Sequence, residues 1–196
     1  MCASSQQHLR AAADAVAADL GLDAALREIG APTLVGSAAL GVIVAQDIDI
    51  TVAVPALPAA QPAITELGLA LLQHPRVRQV TLRNDTGDRK VSSRYPDGWY
   101  LGIHYGAGED AWTLDLWFVD EPDRQPDLAH LRELAPRITD EARQTILELK
   151  RAVLPQDRPA RMPSYDIYRA VLDHGVTTVD ELSRWQASGS TSQTTE

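Results

Sequence analysis

Alternating hydrophobic and polar positions predict short strands in the first two thirds of the chain. Apolar residues recur every three or four positions over residues 5–29, which predicts a helical region, and Gly21 divides it into two helices. Residues 106–110 contain two glycines between two apolar runs, a pattern typical of a hairpin loop. Strands are predicted over residues 33–35, 47–54, 77–83, 90–94, 99–105 and 112–119.

Helical periodicity dominates the rest of the chain. A short helix is predicted over residues 37–44 and a longer one over 61–73, with Pro62 in its first turn. Thr139 precedes two acidic residues, which indicates a helix N-terminus at that point. Residues 188–196 are rich in Ser, Thr and Gln and are predicted to be disordered. The later helices are predicted over 127–134, 139–153, 163–174 and 179–186.

Composition limits the class of protein. The chain has 196 residues, 44% of them hydrophobic, which is enough for a buried core. One cysteine excludes a disulfide framework and fits a reducing cytosol. We find no signal peptide and no apolar run near the ~20 residues of a membrane span, so we expect a cytoplasmic protein.

The formal net charge of −9 argues against a general nucleic-acid binder. Two groups of basic residues depart from this average, and either can face a polyanionic substrate or be a solvated surface. The first comprises Arg76, Arg78, Arg83, Arg89, Lys90 and Arg94; the second comprises Arg143, Lys150, Arg151, Arg158, Arg161 and Arg169.

The chemistry is concentrated around a Gly-Ser turn and an Asp-x-Asp strand. Asp47 and Asp49 alternate with isoleucines, so both carboxylates lie on the same face of the predicted strand. Two adjacent acids repel each other unless a cation joins them, and oxygen ligands suit a hard ion such as Mg²⁺. Upstream, Gly36 and Ser37 open a predicted helix whose backbone N–H groups can bind phosphate. Together these features indicate metal-dependent nucleotidyl transfer.

This motif resembles the signature of the nucleotidyltransferase superfamily, a Gly-Ser turn followed by a strand carrying Asp-x-Asp. The resemblance implies an α+β fold, in which a small twisted mixed sheet with flanking helices is followed by a helical C-terminal lobe. We expect the core over residues 1–122, the lobe over 123–187 and the tail over 188–196. Two positions depart from the pattern of many members: Leu40 replaces an Arg, and Gln46 replaces a Ser.

A third acid and two helical residues extend the resemblance. Asp115 interrupts an apolar strand, where an unpaired carboxylate needs a partner or a metal; in the superfamily a third acid completes the metal site or accepts the acceptor's proton. Lys150 and, sixteen residues later, Asp166 resemble positions of AbiEii/MenT-type toxins. Lys150 would then bind and stabilise the nucleotide phosphates, and Asp166 would orient that lysine or the acceptor.

The resemblance implies a Mg²⁺-dependent toxin that transfers nucleotides from NTP to the 3′ end of tRNA, blocks translation and has a cognate antitoxin protein. Asp47, Asp49, Asp115, Lys150 and Asp166 would be catalytic. Two alternatives remain open at this point. One is a small-molecule nucleotidyltransferase of the aminoglycoside-modifying kind; the other is a degenerate member that only binds a partner protein or a nucleotide.

Overall fold

The computed structural model describes residues 2–90, 95–153 and 162–190. The chain separates into two compact units, Ala3–Glu133 and Leu134–Glu196. The first unit contains helices α1 (Cys2–Asp19), α2 (Leu22–Ile29), α3 (Gly36–Ala39), α4 (Leu57–Leu72) and α5 (Pro126–Leu134), and strands β1 (Ala31–Leu34), β2 (Asp47–Ala53), β3 (Val77–Asp85), β4 (Gly98–Tyr105) and β5 (Trp112–Val119). The second unit contains α6 (Asp140–Val153), α7 (Ser164–His174) and α8 (Val179–Ser190).

The five strands form one mixed sheet in the order β1-β2-β5-β4-β3. Strands β2 and β5 are parallel, and the other neighbours are antiparallel. The predicted hairpin joins β4 to β5, with Tyr105 opposite Trp112. The predicted α+β class, with a small mixed sheet, flanking helices and helices at the C-terminal end, is therefore confirmed.

One face of the sheet forms the hydrophobic core because apolar residues recur at alternate positions of β2 and β5. Ile48, Ile50 and Val52 of β2 are buried together with Leu116 and its apolar neighbours of β5. These side chains pack in one cluster with residues of α1, α2 and α4. The intervening residues of β2 and β5 point to the opposite face, which carries the polar groups described below.

Helix α4 begins four residues earlier than predicted. Its first residue is Leu57, so Pro62 lies inside the helix instead of in its first turn. The earlier start has a capping group, because the backbone N–H of Leu57 donates to a carboxylate oxygen of Asp120 at 3.3 Å. Asp120 directly follows β5, and a carboxylate at a helix N-terminus is stabilising. The capping group comes from a distant part of the chain, so local periodicity did not reveal it.

Three further predictions concern segments around the sheet. The helix predicted over residues 37–44 is only the four residues of α3, because Gly41 adopts a φ of +69° shortly after it. In the strand predicted over 90–94, Lys90 follows a short 3₁₀ turn, Gly87–Arg89. Residues 91–94 lie outside the described residues. The predicted division at Gly21 is confirmed: α1 ends before it and α2 begins after it.

The second unit is a set of helices around its own small core. Ile167 and Ala170 of α7 pack with Leu149 of α6 and Leu182 of α8. The predicted cap of α6 is present, since the Thr139 hydroxyl accepts the backbone N–H of Ala142 at 3.2 Å. Helix α8 extends through residue 190, and residues 191–196 of the predicted tail lie outside the described residues. No described helix has the length and hydropathy needed to cross a membrane.

The sheet core supports a first prediction. Leu116→Ala removes a side chain with 0% exposure from the central strand, so it should lower the free energy of unfolding by about 2–5 kcal/mol. Leu69→Ala is the matched control, because Leu69 on α4 is 59% exposed and its truncation should change stability by less than about 0.5 kcal/mol. Urea titrations followed by circular dichroism measure both. Equal losses in the two variants would contradict the position assigned to Leu116.

Candidate active site

Three carboxylates converge on the polar face of the sheet. Asp47 and Asp49 come from β2 and Asp115 comes from β5; each contributes an oxygen atom within 4.8 Å of the others. The parallel register places Asp49 directly opposite Asp115. All three residues are partly buried, so their negative charges are only partly screened by water. Among the described residues this is the one group of His, Cys, Asp or Glu side chains close enough to share a metal ion.

The strand register arranges the polar face in rows that cross the sheet. Asp47 lies opposite Thr113 of β5, which lies opposite His104 of β4. The next row contains Asp49, Asp115 and Gly102. Side chains two residues apart in a strand share a face, so each acid has a defined neighbour in the adjacent strand. The acids are thus positioned by backbone pairing.

Asp47 and Asp115 each accept a hydrogen bond from a hydroxyl group, which orients the carboxylate. The Thr113 hydroxyl donates to an oxygen of Asp47 at 2.9 Å. The Tyr100 hydroxyl donates to Asp115 at 2.6 Å. Burial and the bond to Asp115 both raise the pKa of Tyr100 above its usual value, so the phenol remains a donor at neutral pH. Sequence inspection had not identified Tyr100, because its register opposite β5 was unknown.

Gly102 makes the Tyr100 contact possible. A Cβ atom at position 102 would lie 2.3 Å from the Tyr100 hydroxyl oxygen, so the phenol crosses directly over the glycine. The Arg83 guanidinium lies 4.5 Å from the centroid of the Tyr100 ring. Arg83 is in turn paired with the buried Asp85 at 2.6 Å. The phenol is therefore held from two sides while it donates to the acid.

The Gly-Ser turn lies directly against the Asp-x-Asp strand. Gly36 has a φ of +63°, and a Cβ there would lie 2.0 Å from a carboxylate oxygen of Asp49. The backbone N–H of Val35 donates to the backbone carbonyl of Asp49 at 2.9 Å. Position 36 thus needs glycine for two independent reasons, its conformation and its close approach to an acid. Ser37 follows immediately as the second residue of α3.

The ligand set fits a hard divalent cation. Three carboxylates this close destabilise one another unless a positive charge or protons compensate. They offer oxygen ligands only, which suits Mg²⁺, Mn²⁺ or Ca²⁺ better than softer metals. The hydrogen bonds from Thr113 and Tyr100 resemble the outer contacts that orient carboxylate ligands in metal sites. The triad can therefore hold a metal ion.

The two departures from the superfamily pattern have clear structural positions. Leu40 is buried, with 5% exposure. A basic group nevertheless contacts α3, because Arg10 of α1 donates to the backbone carbonyl of Ala38 at 2.7 Å. The Gln46 amide donates to the backbone carbonyl of Glu109 at 2.7 Å and so connects the metal-site strand to the hairpin loop. Gln46 has a structural contact that a serine is too short to make.

Lys150 and Asp166 belong to the second unit. Lys150 on α6 is buried, with 2% exposure, and donates to the Tyr168 hydroxyl at 3.1 Å. Asp166 lies in the first turn of α7 and is partly buried. The catalytic roles of both residues remain predictions.

The residues of the two basic groups differ in their ion-pair partners and in their exposure. Arg83 is held by Asp85, and Arg169 is held by Asp173 at 3.0 Å. Arg78 and Arg89 are exposed on the first unit. Arg94, Arg158 and Arg161 lie outside the described residues. Each basic residue therefore has to be considered by its own position.

Asp127 is an additional acid near the site that sequence analysis did not identify. It lies in the first turn of α5 and is partly buried. Burial, with a smaller effect of the Asp115 charge, raises its pKa from 3.8 to about 6. Its proximity to Asp115 depends on how the chain returns after β5, and no local pattern in the sequence signals this.

Comparisons with known proteins add the following findings. No family model matches the chain. No curated protein matches it. It is similar to chains in two solved structures, the non-canonical poly(A) polymerase complex GLD-2–GLD-3 and the GLD-2/RNP-8 complex. Each match has 16% sequence identity, a TM-score of 0.44 and 87% coverage of this chain, but covers only 51% and 57% of the respective matched chains. This chain thus spans about half the length of the chains that it matches. The proposed function therefore rests on the geometry of its own site.

The Gly36 contact gives a prediction with an internal control. Gly36→Ala and Gly21→Ala both place alanine at a positive φ, +63° and +61°, which should cost each variant about 1 kcal/mol of stability; the collision with Asp49 adds a further cost to Gly36→Ala alone. A Cβ at Gly21 meets nothing within 4 Å, whereas one at Gly36 collides with Asp49. Only Gly36→Ala should therefore weaken Mn²⁺ binding measured by calorimetry. Similar Mn²⁺ affinities in both variants would show that the contact does not position Asp49.

The raised pKa of Asp127 predicts a pH-dependent stability in metal-free buffer. The folded state holds the proton more tightly than the unfolded chain, so stability decreases as pH rises from about 4 to about 6. Asp127→Asn removes this loss and should be more stable than the wild type at pH 7, by about 1–3 kcal/mol. The difference should vanish near pH 3.5. Urea titrations at several pH values in EDTA measure it; a variant less stable than the wild type at pH 7 would contradict the assignment.

Proposed function

We propose that this protein is a Mg²⁺-dependent nucleotidyltransferase that transfers a nucleotide from NTP to an acceptor hydroxyl group. The observation that supports this most directly is the juxtaposition of Gly36 with Asp49, beside a third acid paired in register. The turn that would bind phosphate lies against an acid that would hold the metal, and nucleotidyl transfer needs both groups at once. A degenerate binding protein would have no need for a complete triad with oriented carboxylates.

Each group of site residues would perform one part of the reaction. Asp47, Asp49 and Asp115 would hold the metal, which when bound would neutralise the phosphate charge that grows during transfer. The turn at Gly36 and Ser37 would present backbone N–H groups to the phosphates. Asp115, oriented by Tyr100, would accept the proton of the attacking hydroxyl. A bond forms between the acceptor oxygen and the α-phosphorus, the bond to the bridging oxygen breaks, and pyrophosphate leaves.

For the acceptor we propose the 3′ end of tRNA, and for the biological role a toxin with a cognate antitoxin protein. This finer proposal is supported by the resemblance of Lys150 and Asp166 to the AbiEii/MenT type. Lys150 would stabilise the leaving pyrophosphate, and Asp166 would orient that lysine or the acceptor. Extension of the tRNA 3′ end would prevent aminoacylation and so stop translation.

The decisive experiment combines transfer with a charge-matched control. Purified protein, Mg²⁺ and each α-labelled NTP are incubated with total tRNA and, separately, with an aminoglycoside. Asp49→Asn should reduce labelling of tRNA at least about 100-fold, because it removes a ligand of the metal that stabilises the transition state. Asp23→Asn removes the same charge from an exposed pair on α2 and should leave labelling unchanged.

The outcomes separate the alternatives. Label on tRNA that depends on Asp49 establishes the enzyme and names its nucleotide. Label on the aminoglycoside alone overturns the tRNA acceptor and retains the transferase. If the folded wild type binds Mn²⁺ but labels neither acceptor, the proposed acceptors are both wrong.

A further inference from the structure

A cavity of about 440 Å³, lined about equally by polar and apolar groups, opens beside the acid triad at the end of the sheet formed by the β4–β5 hairpin. Its volume lies within the range of about 300–1,000 Å³ found for small-ligand sites. Its polar side chains come from three strands and from the residue that precedes β2: Gln46, Arg78, Gln79, His104 and Thr113. The hairpin residues 106–108 and 111 complete the wall.

The cavity is continuous with the first row of the polar face. Gln79, His104 and Thr113 are successive cross-strand partners in β3, β4 and β5. Thr113 is opposite Asp47 and donates to its carboxylate, so the same side chain lines the cavity and contacts the triad. Thr113 therefore stands between a ligand bound in the cavity and Asp47, an acid of the proposed catalytic site.

The lining selects for anionic, hydroxyl-bearing ligands. Arg78 contributes a guanidinium, and Gln46 and Gln79 contribute amide groups. Among the described residues that line the cavity there is no Asp or Glu. A guanidinium beside amides and an imidazole is suited to phosphate and sugar hydroxyls. A polycationic aminoglycoside would instead need carboxylates here.

The hairpin wall is fixed independently of any ligand. Gly106 donates its backbone N–H to the carbonyl of Arg76 at 2.8 Å, and its φ is +74°. The Gln46 amide holds the Glu109 carbonyl. Two connections thus join the loop to the residues that directly precede β3 and β2. The cavity is therefore formed before binding, and the entropic cost of ordering it is small.

The position of the cavity relative to the Gly36 turn indicates whether the cavity would take the nucleotide or the acceptor. Gly36 contacts Asp49 from the β1 side of β2, whereas the cavity extends from Thr113 across β4 to β3. Asp49 on β2 therefore lies between the turn that would bind phosphate and the part of the cavity lined by β5, β4 and β3. In-line displacement at phosphorus requires the attacking and leaving oxygens on opposite sides.

We propose that this cavity binds the terminal nucleotide of an RNA acceptor. Arg78 contacts its 5′ phosphodiester, His104 and Gln79 contact its sugar and base edges, and its hydroxyl group points toward Thr113 and the acids. This inference rests on the proposed function, because it assigns the acceptor side of the same reaction. It makes Arg78 and His104 determinants of acceptor specificity that lie outside the catalytic acids.

The test measures acceptor binding separately from transfer. A 5′-fluorescein-labelled 12-nucleotide single-stranded RNA is titrated with protein in EDTA at fixed salt, and fluorescence anisotropy gives the Kd. Arg78→Ala and His104→Ala should each weaken binding about 5–20-fold, because each removes a polar contact to the ligand. Arg89→Ala is the matched control: it removes one exposed positive charge from the same basic group but does not line the cavity, and should change the Kd less than 2-fold.

A second pair of variants tests whether the cavity prefers a negatively charged ligand. Gln79→Glu places a negative charge in the cavity and should weaken RNA binding, whereas Gln73→Glu, at the exposed end of α4, should not. Urea midpoints confirm that all variants fold. In transfer assays Arg78→Ala should raise the KM for RNA and leave the KM for NTP unchanged.

Several results would overturn the proposal. Equal weakening by Arg78→Ala and Arg89→Ala would indicate general electrostatic attraction, and no effect of the cavity variants would place RNA elsewhere. Displacement of the RNA by AMP at equal concentration would show that the cavity takes free nucleotides. If the cavity variants lose RNA binding but the wild type transfers no label to RNA, the proposed transfer to RNA fails and the RNA-binding site stands.

Discussion

The parallel pairing of β2 with β5 is the constraint on which the rest of the structure depends. It brings Asp49 opposite Asp115 and Asp47 opposite Thr113 in a single register. A slip of one residue would bury the acids in the core and expose the apolar residues between them. The same alternation that drives β2 and β5 into the hydrophobic core therefore holds three like charges together on the other face. Core burial stabilises a site that electrostatic repulsion alone would disperse.

Glycines and an aromatic residue refine this arrangement. Gly36 and Gly102 each leave space where a side chain would otherwise stand, and a functional group of another residue occupies that space. At Gly36 the group is the carboxylate of Asp49; at Gly102 it is the phenol of Tyr100. Small residues on the polar face thus permit contacts between larger ones, and they rigidify the carboxylates without burying further charge.

Much of the first unit could be predicted from the sequence because its signals are local. Alternation located β2, an apolar run interrupted by Asp115 located β5, and the Gly-Ser turn with Asp47 and Asp49 indicated the chemistry. Tyr100 could not be identified, since its relevance comes from cross-strand register, and the same register places His104 in the cavity wall. The start of α4 was missed because its capping group, Asp120, is 63 residues away along the chain. Long-range pairing is the information that periodicity lacks.

The order of the strands has a consequence for how the first unit acquires its site. Strand β5 is the last of the five in the chain, yet it occupies the centre of the sheet, between β2 and β4. Before it is in place, β2 and β4 each present an unpaired edge, the kind of surface that favours wrong pairing. Closure of the sheet depends on contacts between distant segments and is therefore expected to be slow relative to helix formation. The strand that closes the sheet also carries Asp115, so a chain that has not finished folding lacks the third carboxylate.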